Sequence, residues 1–199
     1  MIYPKLLQNL IDYLKKLPGI GEKSAERMAL ALIKMSADEI NDLSNCLILA
    51  KKGLKKCTIC GSLTEDNICY ICANENRDKN TICVLEDFKG VFAFEKSGKY
   101  NGTYHVLDGL ISPIDGIGPD DINISGLIKR IDCLESPEII IALKPSIEGE
   151  TTTLYIKKIL ENRNVKISRL SYGIPMGVDI DYLDEITLFN ALNDRKDIS

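Results

Sequence analysis

Two cysteine pairs carry the strongest chemical signal in this sequence: Cys57-x2-Cys60, an eight-residue spacer, then Cys69-x2-Cys72. Each pair can grip one ion from a tight turn, and the short spacer lets the two turns converge. Four thiolates favour tetrahedral Zn2+, and a closed shell of four leaves no open position for catalysis. A thioredoxin-like redox pair, an iron–sulfur cluster and plain free thiols are the competing readings; two matched pairs in so short a window weigh toward one structural zinc. Lys55 and Lys56 stand beside the first pair and are expected to offset the thiolate charge. Cys46, Cys83 and Cys133 lie in apolar helix or strand patterns and are expected as buried thiols.

Carboxylates form the second group. Glu86 ends the apolar run Ile82-Cys-Val-Leu85, and Glu148-Gly149-Glu150 follows the run Ile139-Ile-Ile-Ala-Leu143. This pairing resembles the Toprim domain of topoisomerases, bacterial primases and certain nucleases. There, a glutamate after the first strand and an Asp-x-Asp after a later one surround Mg2+. Glu86 matches the first position and Glu148-Gly149-Glu150 the Glu-Gly-Glu after the diacid, but Lys144 and Ser146 occupy the diacid positions. Mg2+ needs carboxylate oxygens, and phosphoryl chemistry needs several of them arranged together. A lysine brings positive charge to the metal's place, which argues against Mg2+ as a cofactor and against cleavage or polymerisation of DNA. The plain alternative for these glutamates is favourable negative charge at a helix N-terminus.

A third group is cationic. Leu17-Pro-Gly-Ile-Gly-Glu-Lys-Ser-Ala25 resembles the hairpin of helix-hairpin-helix DNA-binding motifs, with Gly19 and Gly21 shaping the turn. Such a turn presents bare backbone N–H groups at a helix start, a natural phosphate site. Lys23 falls in the first turn of that helix and Arg27 one turn later on the same side. Together they would hold a DNA backbone without reading bases. A plain helical turn with solvated charges is the competing reading.

These groups need elements to position them. Leu6, Leu7, Leu10, Ile11, Leu14 and Leu17 recur at helical spacing, as do Ala25, Met28, Ala29, Leu32 and Ile33. Ser36 with Glu39 offers a capping box for a third helix running through Ile40, Leu43, Leu47 and Leu54. From Thr81 onward strands are expected over 82–85, 104–107, 138–143 and 165–170, with helices near 88–97, 123–133 and 149–162. Such alternation implies a mostly parallel sheet covered on both faces, with functional groups at the strands' carboxyl ends. The Gly-, Pro- and Asp-rich stretch after Leu107 reads as a loop of tight turns. His105, the single histidine, is expected packed or hydrogen-bonded rather than catalytic. Gly173, Pro175 and Gly177 stiffen a turn before a last amphipathic helix through Thr187, Leu188, Ala191 and Leu192.

With 199 residues, 45% hydrophobic and 27% charged, the chain can bury a substantial core and is not disordered. No apolar stretch approaches the roughly 18 residues that cross a bilayer, and the N-terminus lacks the apolar core of a signal peptide. Seven cysteines without an export signal point to a reducing cytoplasm. The net charge of −4 is unevenly spread. Residues 1–56 carry ten basic against six acidic groups, and the remainder 15 against 23. A basic head on an acidic body places phosphate contact on the head and suits the body to a protein partner or a metal.

In order along the chain, these motifs resemble the RecR family of bacterial recombination mediators. The matching residues are Leu17-Pro-Gly-Ile-Gly-Glu-Lys-Ser-Ala-Glu-Arg27-Met-Ala29, Ser112-Pro-Ile-Asp-Gly-Ile-Gly-Pro119, Pro145-Ser-Ile-Glu-Gly-Glu150, Tyr172-Gly-Ile-Pro-Met-Gly177 and Thr187-Leu188. The missing diacid is expected of that family. The resemblance implies a multidomain α and α/β chain. It would comprise a helical helix-hairpin-helix head over 1–56, a small four-cysteine zinc finger over 57–72, a Toprim-type parallel α/β sheet over 80–175 and a short C-terminal docking segment over 176–199. It further implies a non-enzymatic clamp in recombinational DNA repair, in the bacterial cytoplasm with the nucleoid. Its copies would assemble as a dimer and a tetrameric ring. The clamp would bind gapped, single- or double-stranded DNA through Lys23, Arg27, Gly19 and Gly21, and act with RecO and RecF to help load RecA. Glu86, Glu148 and Glu150 are expected on the face open to RecO. The rival classes are a Mg2+-dependent Toprim nuclease or primase, and a zinc-containing adaptor that binds only proteins.

Overall fold

A computed structural model describes residues 3–171, 174 and 177–195, and divides them into two compact units, one through Leu54 and one from Lys55. Most of the Tyr172-Gly-Ile-Pro-Met-Gly177 turn, including Gly173 and Pro175, lies outside the described residues.

The first unit is three helices, α1 (Lys5–Leu14), α2 (Glu22–Lys34) and α3 (Ala37–Gly53). Its core is small: Ile11 of α1 is fully buried against Ala25 and Ala29 of α2, ringed by Leu7, Leu10, Leu14 and Ile20. Two alanines one turn apart let the helix backbones come close, which is why so few side chains suffice. The capping box forms as expected: the Glu39 N–H donates to Ser36 Oγ at 3.2 Å and the Ser36 N–H to Glu39 Oε2 at 2.8 Å. The apolar side chains of α3, in contrast, find no core, and no residue of α3 is buried.

The second unit opens with a two-stranded antiparallel ribbon, β1 (Lys55–Lys56) and β2 (Leu63–Thr64), and one helical turn, α4 (Tyr70–Ala73). The expected α/β alternation follows: β3 (Asp78–Leu85), α5 (Phe88–Ser97), β4 (Gly102–Val106), α6 (Ile124–Ile131), β5 (Glu138–Ala142), α7 (Ile147–Leu160) and β6 (Lys166–Arg169). All four strands β3–β6 are parallel, in the order β4-β3-β5-β6. β3 starts four residues before the expected Ile82, because its polar beginning carries no hydrophobic signal. After β6 come a turn of 3-10 helix over Ile180–Tyr182 and α8 (Glu185–Asn193).

Alternation along β3 sorts the sheet's two faces. Ile82 and Val84, with Ile139 and Ile141, pack under Leu127 and Ile131 of α6 and Ile156 and Leu160 of α7. Cys83 and Leu85, with Tyr104 and Val106, pack against Val91 of α5 and the cysteine cluster. The zinc finger thus shares a core with the sheet. Cys83 is buried as expected, and burial pushes its thiol up to about 12. Cys46 and Cys133 depart from expectation, since both are exposed. Cys46 sits on α3, which buries nothing, and Cys133 lies just past the end of α6.

Candidate functional site

The cysteines converge. The Sγ atoms of Cys57, Cys60, Cys69 and Cys72 all lie within 4.8 Å of one another, and all four residues are buried. Zn–S bonds of about 2.3 Å in a tetrahedron require sulfurs roughly 3.8 Å apart. Cys60 and Cys69, at 3.6 Å, already stand at that spacing. The donor set therefore fits one structural Zn2+, and no shell position remains open. Local sequence builds the grip. Gly61 sits at φ +74°, and its N–H closes the first turn onto the Cys57 carbonyl at 3.0 Å. A Cβ on Gly61 would lie 3.0 Å from the Val106 carbonyl, so only glycine suits this turn. In the second turn the Cys69 N–H donates to Cys57 Sγ at 3.3 Å and the Cys72 N–H to Cys69 Sγ at 3.5 Å. Without a cation the four thiols cannot all ionise: hydrogen bonds from Cys60 and Cys72 pull the Cys69 thiol down, and bonding to Cys69 pushes Cys60 up.

The flanking lysines do not act as expected. Lys55 donates to Asn67 Oδ1 at 2.8 Å, and Lys56 forms an ion pair with Asp108. The sulfurs receive backbone N–H groups in their place. The finger is tied to the sheet by the Val106 N–H, which donates to the Cys60 carbonyl at 2.7 Å. Beside it an unexpected network clamps β4 to α5. Arg77 donates to both carboxylate oxygens of Glu95, and Tyr104 to one of them at 2.7 Å. Arg77 also reaches the Gly102 carbonyl, 25 residues along the chain, so no local spacing could have announced this network.

The carboxylates gather at the carboxyl edge of the sheet. Leu85 and Ala142 are register partners in the neighbouring strands β3 and β5. Their continuations, Glu86 and Lys144, therefore meet where the strand order reverses. Lys144 Nζ lies 3.4 Å from Glu86 Oε1. The Ser146 hydroxyl donates to Glu148 at 2.7 Å and, with Lys144 nearby, holds its carboxyl below the ordinary value. Glu150 pairs with Arg169 of β6 at 3.4 Å. Each carboxylate thus has its own donor. Among the described residues, the four cysteines form the one cluster of three or more ligands close enough to share an ion. This edge does not fit Mg2+. Ser146 also accepts from the Gly149 N–H as N-cap of α7. Gly149 is required by packing, since a Cβ there would stand 2.0 Å from the Lys144 carbonyl oxygen.

In the head, Gly19 takes φ +77°, and Gly21 is the N-cap of α2 with no side-chain cap to its first turn. Lys23 and Arg27 are exposed on α2, and neither forms an ion pair among the described residues. Glu22, which would oppose an anion at this helix start, is held by Lys15. His105 is fully buried, with Nε2 2.7 Å from the Asn123 carbonyl and Nδ1 without a partner among the described residues; burial pushes its pKa down to about 4.

Comparison with protein families gives four matches along the chain. The RecR helix-hairpin-helix model matches residues 7–51, and the RecR four-cysteine zinc finger model residues 54–74. A Toprim domain model matches residues 80–171, and the RecR C-terminal model residues 173–196. Three of the four describe RecR segments, and they stand in order around a Toprim domain; the parallel sheet of that domain and the buried four-cysteine site of the zinc finger are both present in the structure. The chain therefore belongs to the RecR family, whose domains carry DNA binding and a role in recombinational DNA repair.

Proposed function

We propose that the chain acts without bond chemistry, as a DNA clamp that works with RecO and RecF to help load RecA at single-stranded gaps. The observation that carries this reading is the Lys144–Glu86 pair at the sheet's carboxyl edge. An ammonium tethered beside the first carboxylate neutralises the site from within and leaves the charge-stabilising role of a divalent ion without its ligands. What remains at the edge is a set of engaged charges facing solvent, suited to docking a partner. Glu86, Glu148 and Glu150 are assigned to RecO on that ground.

Lys23 and Arg27 are assigned to the DNA backbone, with Gly19 and Gly21 shaping the uncapped helix start that accepts a phosphate. Contacts of this kind are independent of sequence and weaken with salt. Self-association supplies the avidity that one head lacks. The first unit supports it with an apolar groove of about 600 Å³ lined by Leu10, Leu14, Leu32, Ile33, Leu43 and Leu47. An exposed groove of that kind suits a second copy of the head. Ile186, Phe189 and Leu192 of α8 are also exposed and offer a second docking surface for closing a ring. No helix among the described residues is long and apolar enough to cross a membrane, and the clamp is assigned to the cytoplasm.

The test is retention on gapped circular DNA in the presence of Mg2+ and nucleotides. The expected result is salt-sensitive retention on the circle, loss on linearisation, weaker retention by Lys23→Ala/Arg27→Ala, and DNA that stays chemically intact. Strand cleavage or synthesis that disappears in Glu86→Ala would overturn the reading. A Glu148→Lys variant that still captured RecO fully would remove the partner assignment.

A further inference from the structure

A cleft of about 530 Å³ opens on the second unit beside the finger, where the Thr58–Ile59 turn, Lys79 at the start of β3, and α6 come together. Among the described residues three cations line it, Lys79, Lys129 and Arg130, and no carboxylate does. That is unexpected on charge grounds, because residues 57–199 carry 23 acidic groups against 15 basic. None of the three forms an ion pair among the described residues. The Arg130 guanidinium is fixed by donating to the Tyr104 carbonyl and to Thr103 Oγ1, which uses two of its five N–H donors. Lys79 and Lys129 are exposed and free to swing. Gly126 adds no side chain of its own and lies under the Asn123 amide, while Ile59 and Leu134 supply apolar wall.

We propose that this cleft is a second nucleic-acid contact. Lys79, Lys129 and Arg130 would hold backbone phosphates, and Ile59 and Leu134 would lie against sugar or base. The inference rests on the DNA-binding reading above and extends it beyond the head. Converging cations without carboxylates select a polyanion. A free nucleoside triphosphate shares the phosphate chemistry, but it arrives with Mg2+. The cleft offers neither a carboxylate for that ion nor a glycine-rich phosphate loop. A polynucleotide brings its charge without a divalent ion and can run through an open cleft.

The experiment titrates the full-length, zinc-loaded protein into fluorescein-labelled oligothymidylate across a range of NaCl concentrations. Wild type, Lys79→Gln/Lys129→Gln and Lys23→Ala/Arg27→Ala are compared by anisotropy, with circular dichroism confirming that each is folded. Each phosphate contact to a single strand contributes about 0.7 to the slope of log affinity against log salt, so the cleft variant is expected to lose about 1.4 in slope and on the order of tenfold in affinity. A cleft variant with wild-type affinity and slope, beside a head variant that loses both, would overturn this proposal and leave the proposed function standing. Absence of salt-dependent binding in the wild type would fell the DNA-binding reading and this one with it. A second arm uses fluorescent ATP. Binding of fluorescent ATP by wild type that is lost in the cleft variant, with strand binding unchanged in that variant, would identify a mononucleotide site and also overturn the proposal.

Discussion

Removing the zinc should unfold part of the second unit and spare the rest. The finger's own secondary structure is two strands of two residues and one helical turn, too little to stand without the metal. A structural Zn2+ supplies about 10–16 kcal/mol of apparent folding free energy, whereas a whole domain is stable by only about 5–15 kcal/mol. Loss of the ion therefore exceeds anything the ribbon and α4 can offset. The damage should spread through the shared core: Tyr104, Val106, Leu85 and Val91 pack on the cysteines, and Val106 is hydrogen-bonded to Cys60. It should stop at the opposite face, where Ile139, Leu127 and Ile156 pack without the finger. The assay strips the metal with a chelator under reducing conditions, measures released zinc colorimetrically, and follows amide hydrogen exchange along the chain. The expected outcome is one zinc per chain and lost protection across Cys57–Ala73, α5 and β4, with β5, α6, α7 and the head retaining theirs. Cys57→Ser should give the same map. Unchanged protection over the finger in metal-free protein would refute the reasoning.

Two further outcomes follow from buried groups. The His105 pKa lies near 4 in the folded chain against 6.5 when unfolded, so between those values the unfolded state binds the extra proton. Stability from this group is full above the unfolded value and falls as pH drops toward 4; at 1.36 kcal/mol per unit, the loss is roughly 3 kcal/mol. Urea denaturation at neutral and at mildly acidic pH should show a smaller acid loss for His105→Gln than for wild type, with zinc present in both, and equal losses would exclude the assignment. Gly149→Ala should destabilise the second unit by about 3 kcal/mol or more, because the added methyl meets a backbone carbonyl that cannot rotate away. Gly53→Ala, at the end of α3 with open space around it, should be neutral or slightly stabilising. Thermal melting of the two variants checks this, and a Gly149→Ala melt equal to wild type would show that α7 shifts freely.

What the sequence alone determined is written within a few residues of chain. The cysteine spacing specified the metal, because ligand geometry in a tight turn depends on neighbours two and three positions away. Ser36 and Glu39 specified the start of α3, because a capping box closes over three residues. The strand pattern placed Glu86 and the Glu148-Gly149-Glu150 turn after apolar runs, and their motifs carried the family resemblance. Tertiary structure decided the rest. Glu86 and Lys144 are 58 residues apart and meet only because a crossover brings β5 beside β3. Gly149 had a motif but no visible reason until α7 was seen to start against the Lys144 carbonyl. Cys46 and Cys133 looked buried from apolar neighbours, yet a helix periodicity says only that one face is apolar, not that anything covers it. The same holds for Lys79, Lys129 and Arg130, scattered charges in an acidic stretch that folding gathers around one cleft.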